Sequence, residues 1–124
     1  MARVLVVEDD PWSQRIVVEL LEMRGHHVLA ASDVPSARAA LAEGPQIVLL
    51  DIHVPGGGGE AFLREIRASA EHAKLPVIAL TASAMSGDRE KFLRLGFTAY
   101  MSKPIDVKAF GPTIESFVGE RDAS

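Results

Sequence analysis

The sequence predicts an α/β fold in which five parallel strands form a doubly wound sheet. Strand-like runs alternate with helix-like runs along the 124 residues. The strand-like runs are almost continuously apolar, as at Ile47–Leu50, and such runs suit parallel strands that are buried on both faces. Crossovers of the available length imply right-handed connections, with helices on both faces of the sheet.

The first helix follows the first strand closely. Arg3–Val7 forms the strand, Asp10 is a candidate N-cap, and Pro11 occupies the first helical position. Apolar residues then recur at helical spacing up to Gly25, which supplies a stop.

A short second strand at residues 27–30 leads to an alanine-rich helix. Asp33 or Ser32 is expected to cap this helix, with Pro35 in its first turn, and the helix continues to Ala42. The third strand, Ile47–Leu50, follows.

The second half of the chain repeats the pattern. The four glycines at 56–59 predict a flexible loop before the third helix, and residues 77–80 form the fourth strand. The fourth helix begins near Gly87 or Asp88, and the fifth strand covers residues 98–101.

The last helix is expected to begin after Asp106 and carries apolar residues at helical spacing as far as Val118. Gly111-Pro112 interrupts it. Because an interior proline costs about 3 kcal/mol in a regular helix, a kink or a restart is predicted there.

Five such units favour the flavodoxin-like strand order 2-1-3-4-5, whose switch point lies between strands 1 and 3. Ligands of open parallel sheets bind outside the carboxyl ends of the strands. The polar residues that follow four of the strands are Glu8 and Asp9, Asp51, Thr81, and Lys103. These side chains are therefore expected to meet at one edge of the sheet.

This set of residues suits a divalent metal and a phosphoryl group. Carboxylates held close together repel one another unless a cation is present, and Mg²⁺ commonly combines a few carboxylates with phosphate oxygens. Asp51 is expected to be semi-buried and can act as a nucleophile toward phosphorus. A threonine hydroxyl and a lysine ammonium can hold the phosphoryl oxygens. Each residue alone has an ordinary explanation in a loop, a strand or a solvated surface, but their joint placement favours the site.

Composition excludes several classes of function. With 48% hydrophobic and 24% charged residues the chain is typical of a globular protein, and its net charge of −4 gives no basis for nucleic-acid binding. The absence of cysteine excludes disulfides, thiolate metal sites and cysteine nucleophiles. No run reaches the length of a membrane span, and no signal peptide is apparent. One cytoplasmic domain over residues 1–124 is expected.

The polar anchors resemble the signature of response-regulator receiver domains, the CheY-like family. The matching positions are Glu8-Asp9, Asp51 with Pro55 and Gly59, Thr81-Ala82, and Lys103-Pro104. The resemblance covers essentially the whole chain. Three further segments are similar to stand-alone receivers and to receivers of hybrid kinases: Ala84-Met85, Gly87-Asp88 and residues 102–105.

The resemblance implies that Asp51 accepts a phosphoryl group from a phosphohistidine on a sensor histidine kinase or a histidine phosphotransfer protein. Mg²⁺ would be held by Glu8, Asp9, Asp51 and the backbone carbonyl of His53. Asp9 would be the direct ligand of the acidic pair, and Glu8 would act partly through water.

The resemblance also implies how the signal is made. Thr81 and Lys103 would hold the phosphoryl group. Tyr100 would be an aromatic switch that shifts the population between two pre-existing states of the face formed by helix 4, strand 5 and helix 5. A downstream protein or a phosphorelay would receive the output. Trp12 and Ile105 are candidate contacts with the donor's helix.

The histidines carry weaker signals. The side chain of His53, two residues after the phosphoacceptor, is expected to be exposed, and a role in phosphoryl lifetime is the alternative. His26, His27 and His72 show no ligand spacing and are expected at the surface or in strands. The resemblance implies a cis peptide before Pro104.

Alternatives come from other classes of protein. A small Mg²⁺-dependent phosphatase of the haloacid dehalogenase type places its nucleophile after the first strand in a DxD arrangement, whereas Asp51 follows the third and precedes Ile52-His53. A flavin-binding module needs a phosphate loop where Glu8, Asp9 and Asp10 would repel phosphate. A pseudo-receiver that only binds is disfavoured because the chemical anchors are all present. The expected function is signalling without turnover of an external substrate, by a monomer or weak homodimer.

Overall fold

The computed structural model describes residues 2–54, 56, 58–82 and 88–122, with only the backbone described at 88, 89 and 119–122. The strands are β1 (Arg3–Val7), β2 (His27–Ala31), β3 (Ile47–Asp51), β4 (Val77–Thr81) and β5 (Ala99–Ser102). The helices are α1 (Pro11–Met23), α2 (Val34–Leu41), α3 (Gly59–Ala68), α4 (Asp88–Leu95) and α5 (Val107–Asp122). No helix in the described ranges is both long and apolar enough to cross a membrane.

The strands form one parallel sheet in the order β2-β1-β3-β4-β5, so the predicted fold class and strand order are confirmed. The register places Val7 opposite both Ala31 and Leu50, and Thr81 opposite Ser102. The carboxyl ends of the strands therefore lie at one edge of the sheet. The strands β2, β3, β4 and β5 each end one residue later than the sequence pattern predicts.

Two apolar cores lie on opposite faces of the sheet. Leu5 and Val7 belong to the core under α2, α3 and α4, whereas Val4 and Val6 belong to the core under α1 and α5. This alternation follows from the two-residue period of a strand. Because both faces are covered, the strand needs apolar residues at every position, which explains the continuous runs in the sequence.

Aspartates begin the first two helices, as predicted. Asp10 accepts the backbone N–H of Ser13 at 3.4 Å and its hydroxyl at 2.8 Å. Of the two candidates for α2, Asp33 rather than Ser32 is the cap, since its Oδ1 accepts the N–H of Ser36 at 2.8 Å.

The helix α5 continues through Pro112, so the predicted restart is wrong, while the alternative of a kink stays a prediction. Gly111 precedes the proline, and without a Cβ it avoids part of the clash that usually keeps such a residue out of the helical region. Phe110 and Ile114, on either side, are fully buried against the sheet. Packing of these side chains therefore opposes the break that the local sequence favours.

His26 is buried, contrary to the prediction that it lies at the surface or in a strand. Its side chain is 6% exposed, its Nδ1 accepts the N–H of Ala2 at 3.1 Å, and its Nε2 lies 2.8 Å from Glu115 Oε2. This pattern assigns the imidazole proton to Nε2, which donates to the carboxylate. The ring therefore ties the start of β1 to α5.

Candidate functional site

Glu8 and Asp9 follow directly after β1. Glu8 is buried, while Asp9 is exposed. The N–H of Glu8 extends the ladder to β2 by donating to the Ala31 carbonyl at 3.0 Å, and Glu8 Oε1 accepts the N–H of Asp10 at 3.2 Å. Because the Asp10 side chain is used to cap α1, it has the separate, structural role that the sequence predicts.

Asp51 is the last residue of β3 and is only 6% exposed. Its Oδ1 accepts the backbone N–H of His53 at 2.9 Å, and its Oδ2 accepts from Lys103 Nζ at 3.2 Å. Each carboxylate oxygen thus has a donor, which fixes the group at the sheet edge. The His53 side chain is exposed, as predicted.

Lys103 connects three of the strand ends. Its Nζ donates to Glu8 Oε2 as well as to Asp51. Its backbone N–H donates to the carbonyl of Thr81, the buried last residue of β4, at 2.8 Å. The peptide bond between Lys103 and Pro104 is cis, as the resemblance implies.

Burial and contact shift the ionisation of these groups. Burial, with a hydrogen bond shared with Asp51, raises the pKa of Glu8. Burial opposes ionisation of Asp51 too, but hydrogen bonds with Glu8 and the His53 N–H, and the charge of Lys103, outweigh it and lower the pKa of Asp51. Burial disfavours charge on Lys103, but its hydrogen bond to Glu8 and the charge of Asp51 raise its pKa overall. An ionised Asp51 beside an ammonium is the state that a nucleophilic carboxylate requires.

The donor set fits a hard divalent cation. Glu8, Asp9 and Asp51 each place one carboxylate oxygen within 4.8 Å of the others, and two of the three residues are buried. Oxygen-only donors of this kind are the ligands that Mg²⁺ and Ca²⁺ prefer. Burial is the main cause of the raised pKa of Glu8, and its hydrogen bond with Asp51 adds to it, so ionisation of both carboxyl groups together is disfavoured without a cation.

Glycine at position 59 lets α3 begin against the end of β3. A Cβ there would lie 2.8 Å from the Asp51 carbonyl oxygen and 2.7 Å from Ile52 Cα. Gly56 and Gly58 have positive φ angles of 93° and 85°. Gly56, Gly58 and Gly59 therefore meet conformational or packing needs that the sequence, interpreted as a flexible loop, does not reveal.

The two predicted partner contacts share one surface, which we call the Trp12 groove. Trp12 is 68% exposed at the start of α1, and with Ile105 and Lys103 it lines a groove of about 270 Å³. The remaining lining residues are Ser13, Ile16, Val17, Pro104 and Val107. The groove is mainly apolar, and the lysine that contacts Asp51 forms part of its wall.

Tyr100 lies in β5, on the face of the sheet opposite the Trp12 groove. It is half-buried, and its ring centroid is 5.7 Å from that of Phe92 on α4, with the rings inclined at 45°. Tyr100 therefore joins β5 to α4, the face that the resemblance connects with output.

Part of the resemblance lies outside the described residues. This applies to Pro55 of the signature and to Ala84, Met85 and Gly87 of the likeness to stand-alone receivers. The predicted site residues themselves all lie within the described ranges.

Comparison with known proteins decides the family. A family model of the response regulator receiver domain matches residues 4–114. The chain belongs to this family. The polar-differentiation response regulator DivK of Brucella ovis is 34% identical over 118 residues, which cover 94% of this chain and 96% of that relative. This receiver domain is thus a signalling domain of the two-component type.

Solved structures agree with that assignment. The receiver domain of the sensor histidine kinase PA1611 from Pseudomonas aeruginosa PAO1, with a magnesium ion coordinated in its active-site cleft, is 33% identical and has a TM-score of 0.85. The alignment covers 95% of this chain and 98% of that one. The chemotaxis response regulator CheY4 of Vibrio cholerae, 23% identical with a TM-score of 0.86 over 94% of this chain and 98% of its own, shares the fold.

Proposed function

We propose that Asp51 is the phosphoacceptor of this receiver domain. The observation that carries the proposal is the position of its carboxylate: buried at the end of β3, with Lys103 Nζ at 3.2 Å from Oδ2 and the His53 N–H at 2.9 Å from Oδ1. A carboxylate held in this way is oriented for attack and loses little freedom in reaching the transition state.

Mg²⁺ is the proposed cofactor, held by Glu8, Asp9, Asp51 and the backbone carbonyl of His53. When bound, it would offset the negative charge of the phosphoryl oxygens. The crowded carboxylate oxygens described above support this assignment, as does the magnesium ion in the related PA1611 receiver.

The proposed reaction is an in-line transfer. A carboxylate oxygen of Asp51 bonds to phosphorus while the bond from phosphorus to the donor's imidazole nitrogen breaks, and the electron pair of that bond stays on the nitrogen. Lys103 and Thr81, at the ends of β5 and β4, are placed to hold the phosphoryl oxygens. Catalysis of this kind consists largely of positioning and charge stabilisation.

The first experiment measures phosphorylation by intact mass after incubation with acetyl phosphate, with and without Mg²⁺. The wild type is expected to gain one phosphoryl group only with Mg²⁺, and Asp51→Asn to gain none. Asp10→Asn is the matched control, because Asp10 is outside the proposed site and asparagine caps helices about as well as aspartate. Failure of the wild type to react, with a working receiver reacting in parallel, would favour a pseudo-receiver.

A second assay addresses the enzyme alternative. We propose that the domain turns over no external substrate, so hydrolysis of p-nitrophenyl phosphate should be no faster with wild type than with Asp51→Asn. Faster, continuous hydrolysis by the wild type would favour the phosphatase.

The output is proposed to pass through Thr81 and Tyr100 to the face formed by α4, β5 and α5, and on to a protein target or a phosphorelay. The contact of Tyr100 with Phe92 supports this, because movement of the ring changes the packing of α4. Thr81→Ala is expected to accept phosphate but to lose the accompanying change in amide-exchange protection of β5. A full conformational response in this variant would show that Thr81 does not couple phosphorylation to the change in β5.

The phosphodonor is proposed to be a histidine kinase or a histidine phosphotransfer protein. One of its helices would bind in the Trp12 groove. Exposed apolar surface beside the phosphoacceptor supports this assignment. Trp12→Ala should lower the rate of transfer from a phosphorylated phosphotransfer protein relative to the rate with acetyl phosphate. Met23→Ala, which removes another exposed apolar side chain at the far end of α1, is the control and should leave that ratio unchanged. A ratio unaffected by Trp12→Ala would remove the groove from donor recognition.

A further inference from the structure

Gln14 holds the backbone of the acidic pair from the first turns of α1. Its side-chain Nε2 donates to the Glu8 carbonyl at 3.0 Å and to the Ala31 carbonyl at 3.2 Å, and it lies 3.4 Å from Ser32 Oγ. The same Ala31 carbonyl accepts the N–H of Glu8 at 3.0 Å. One amide group therefore joins α1, the loop after β1 and the end of β2.

This contact acts on the peptide unit that leads into Asp9. The β1–β2 register ends with Val7 opposite Ala31, and the N–H of Glu8 makes the next bond beyond it. Because a peptide unit is planar, fixing the Glu8 carbonyl also fixes the N–H of Asp9 and restricts its Cα position. The Asp9 side chain is exposed, so packing does little to place it and the backbone must do so.

We propose that Gln14 is a positioning residue for the metal site: its amide orients the segment that carries Glu8 and Asp9 toward Asp51. The inference rests on the proposed function, since it concerns how tightly the proposed Mg²⁺ site binds its cation. Gln14 acts through the backbone and touches neither the cation nor the phosphoryl group.

The test compares two substitutions of the same kind at opposite ends of β1. Gln14→Met removes the donor while keeping a long side chain with high helix propensity. Gln46→Met is the matched control, because Gln46 Oε1 accepts the N–H of Arg3 at 3.0 Å, at the end of the strand far from the acidic pair. Mg²⁺ affinity is measured by fluorescence of Trp12, the single tryptophan of the chain, and checked by calorimetry. The melting temperature in EDTA is measured for each variant.

Gln14→Met is expected to bind Mg²⁺ about tenfold more weakly than wild type, the lower end of what loss of an outer support costs a metal site. Gln46→Met should keep wild-type affinity whatever its melting temperature. Phosphorylation of Gln14→Met by acetyl phosphate should approach the wild-type rate when Mg²⁺ is raised to saturation, because the loss lies in binding.

Equal Mg²⁺ affinity of Gln14→Met and wild type would overturn the inference and leave the proposed function standing. Equal weakening by Gln14→Met and Gln46→Met would also overturn it, since the effect would then be one of general stability. Absence of Mg²⁺ binding by the wild type would overturn both this inference and the proposed metal site. If Gln14→Met does not fold, Gln14→Ala removes the donor without adding charge or lowering helix propensity, and the same outcomes apply.

Discussion

Arg24 and Glu115 form a two-point ion pair between the C-terminal end of α1 and the middle of α5. Arg24 Nε lies 2.7 Å from Glu115 Oε2, and Nη2 lies 2.7 Å from Oε1. The arginine side chain crosses α5 over Gly111, where an added Cβ would be 2.2 Å from Arg24 Cδ. The pair, together with buried His26, closes one end of the interface between the two helices.

Glu115→Gln is expected to destabilise the protein near neutral pH and to do so less in acid. Hydrogen bonds from Arg24, and then from His26, lower the pKa of Glu115 to about 2 from its ordinary 4.5. A lowered folded-state pKa contributes stability that is fully present above about pH 4.5 and is lost as the pH falls toward about 2. Urea denaturation of wild type and variant, near pH 7 and about pH 3, measures the difference.

The control for this prediction is Glu19→Gln. Glu19 pairs with Arg15 within α1, and both side chains are more than half exposed, so its loss should change stability little at either pH. A Glu115→Gln effect of equal size at both pH values would show that charge on Glu115 is not what stabilises the contact.

The fold and the proposed site residues were predictable because their signals are local. An apolar run followed at once by a carboxylate, as at Leu50 and Asp51, marks both a buried strand and its polar end. Strand order then brings such ends together, since the carboxyl ends of parallel strands share an edge. Capping by Asp10 and Asp33 was predictable for the same reason.

Contacts between distant segments had no such signal. Lys103 reaches Glu8 across 95 positions, and His26 reaches Glu115 across 89. Pro112 illustrates the opposite case, in which a local rule predicts a break and tertiary packing prevents it. Sequence patterns thus place residues at an edge or a face, while the partner of each side chain depends on the packed structure.

Arg67→Met is expected to cost about 3 kcal/mol of unfolding free energy, because it leaves several carbonyls without their donor. Arg67 Nε donates to the Gly96 carbonyl at 2.8 Å and Nη1 to the Leu75 carbonyl at 2.7 Å. These bonds hold the end of α4 and the approach to β4 against α3. Arg64→Met is the matched control: its side chain is 72% exposed, so it should change little. Equal losses of unfolding free energy for the two variants in urea denaturation would show that these hydrogen bonds of Arg67 do not stabilise the fold.

Gly59→Ala is expected to lower stability by about 2 kcal/mol and to slow phosphorylation of Asp51. The new methyl group would press on backbone atoms of Asp51 and Ile52, which have no flexible end to move aside. Gly58→Ala is the comparison: among the residues that the structure describes, no atom lies within 4 Å of the added Cβ, so only the positive φ of 85° is penalised. Intact-mass time courses with acetyl phosphate should show the larger rate loss for Gly59→Ala. Equal rate losses would assign the effect to the loop conformation instead.

Lys103→Met is expected to bind Mg²⁺ about tenfold more tightly than wild type and to be phosphorylated more slowly. The lysine Nζ contacts Glu8 and Asp51, two of the three carboxylates of the proposed metal site, so ammonium and cation compete for the same charge. The variant loses that competitor, and it also loses the group placed to hold the phosphoryl oxygens. Lys103→Arg, which keeps the charge, should remain close to wild type in Mg²⁺ affinity. Fluorescence titration of Trp12 gives the affinities and intact mass gives the rates. Unchanged or weaker Mg²⁺ binding by Lys103→Met would mean that the lysine helps to assemble the acidic cluster rather than competing for it.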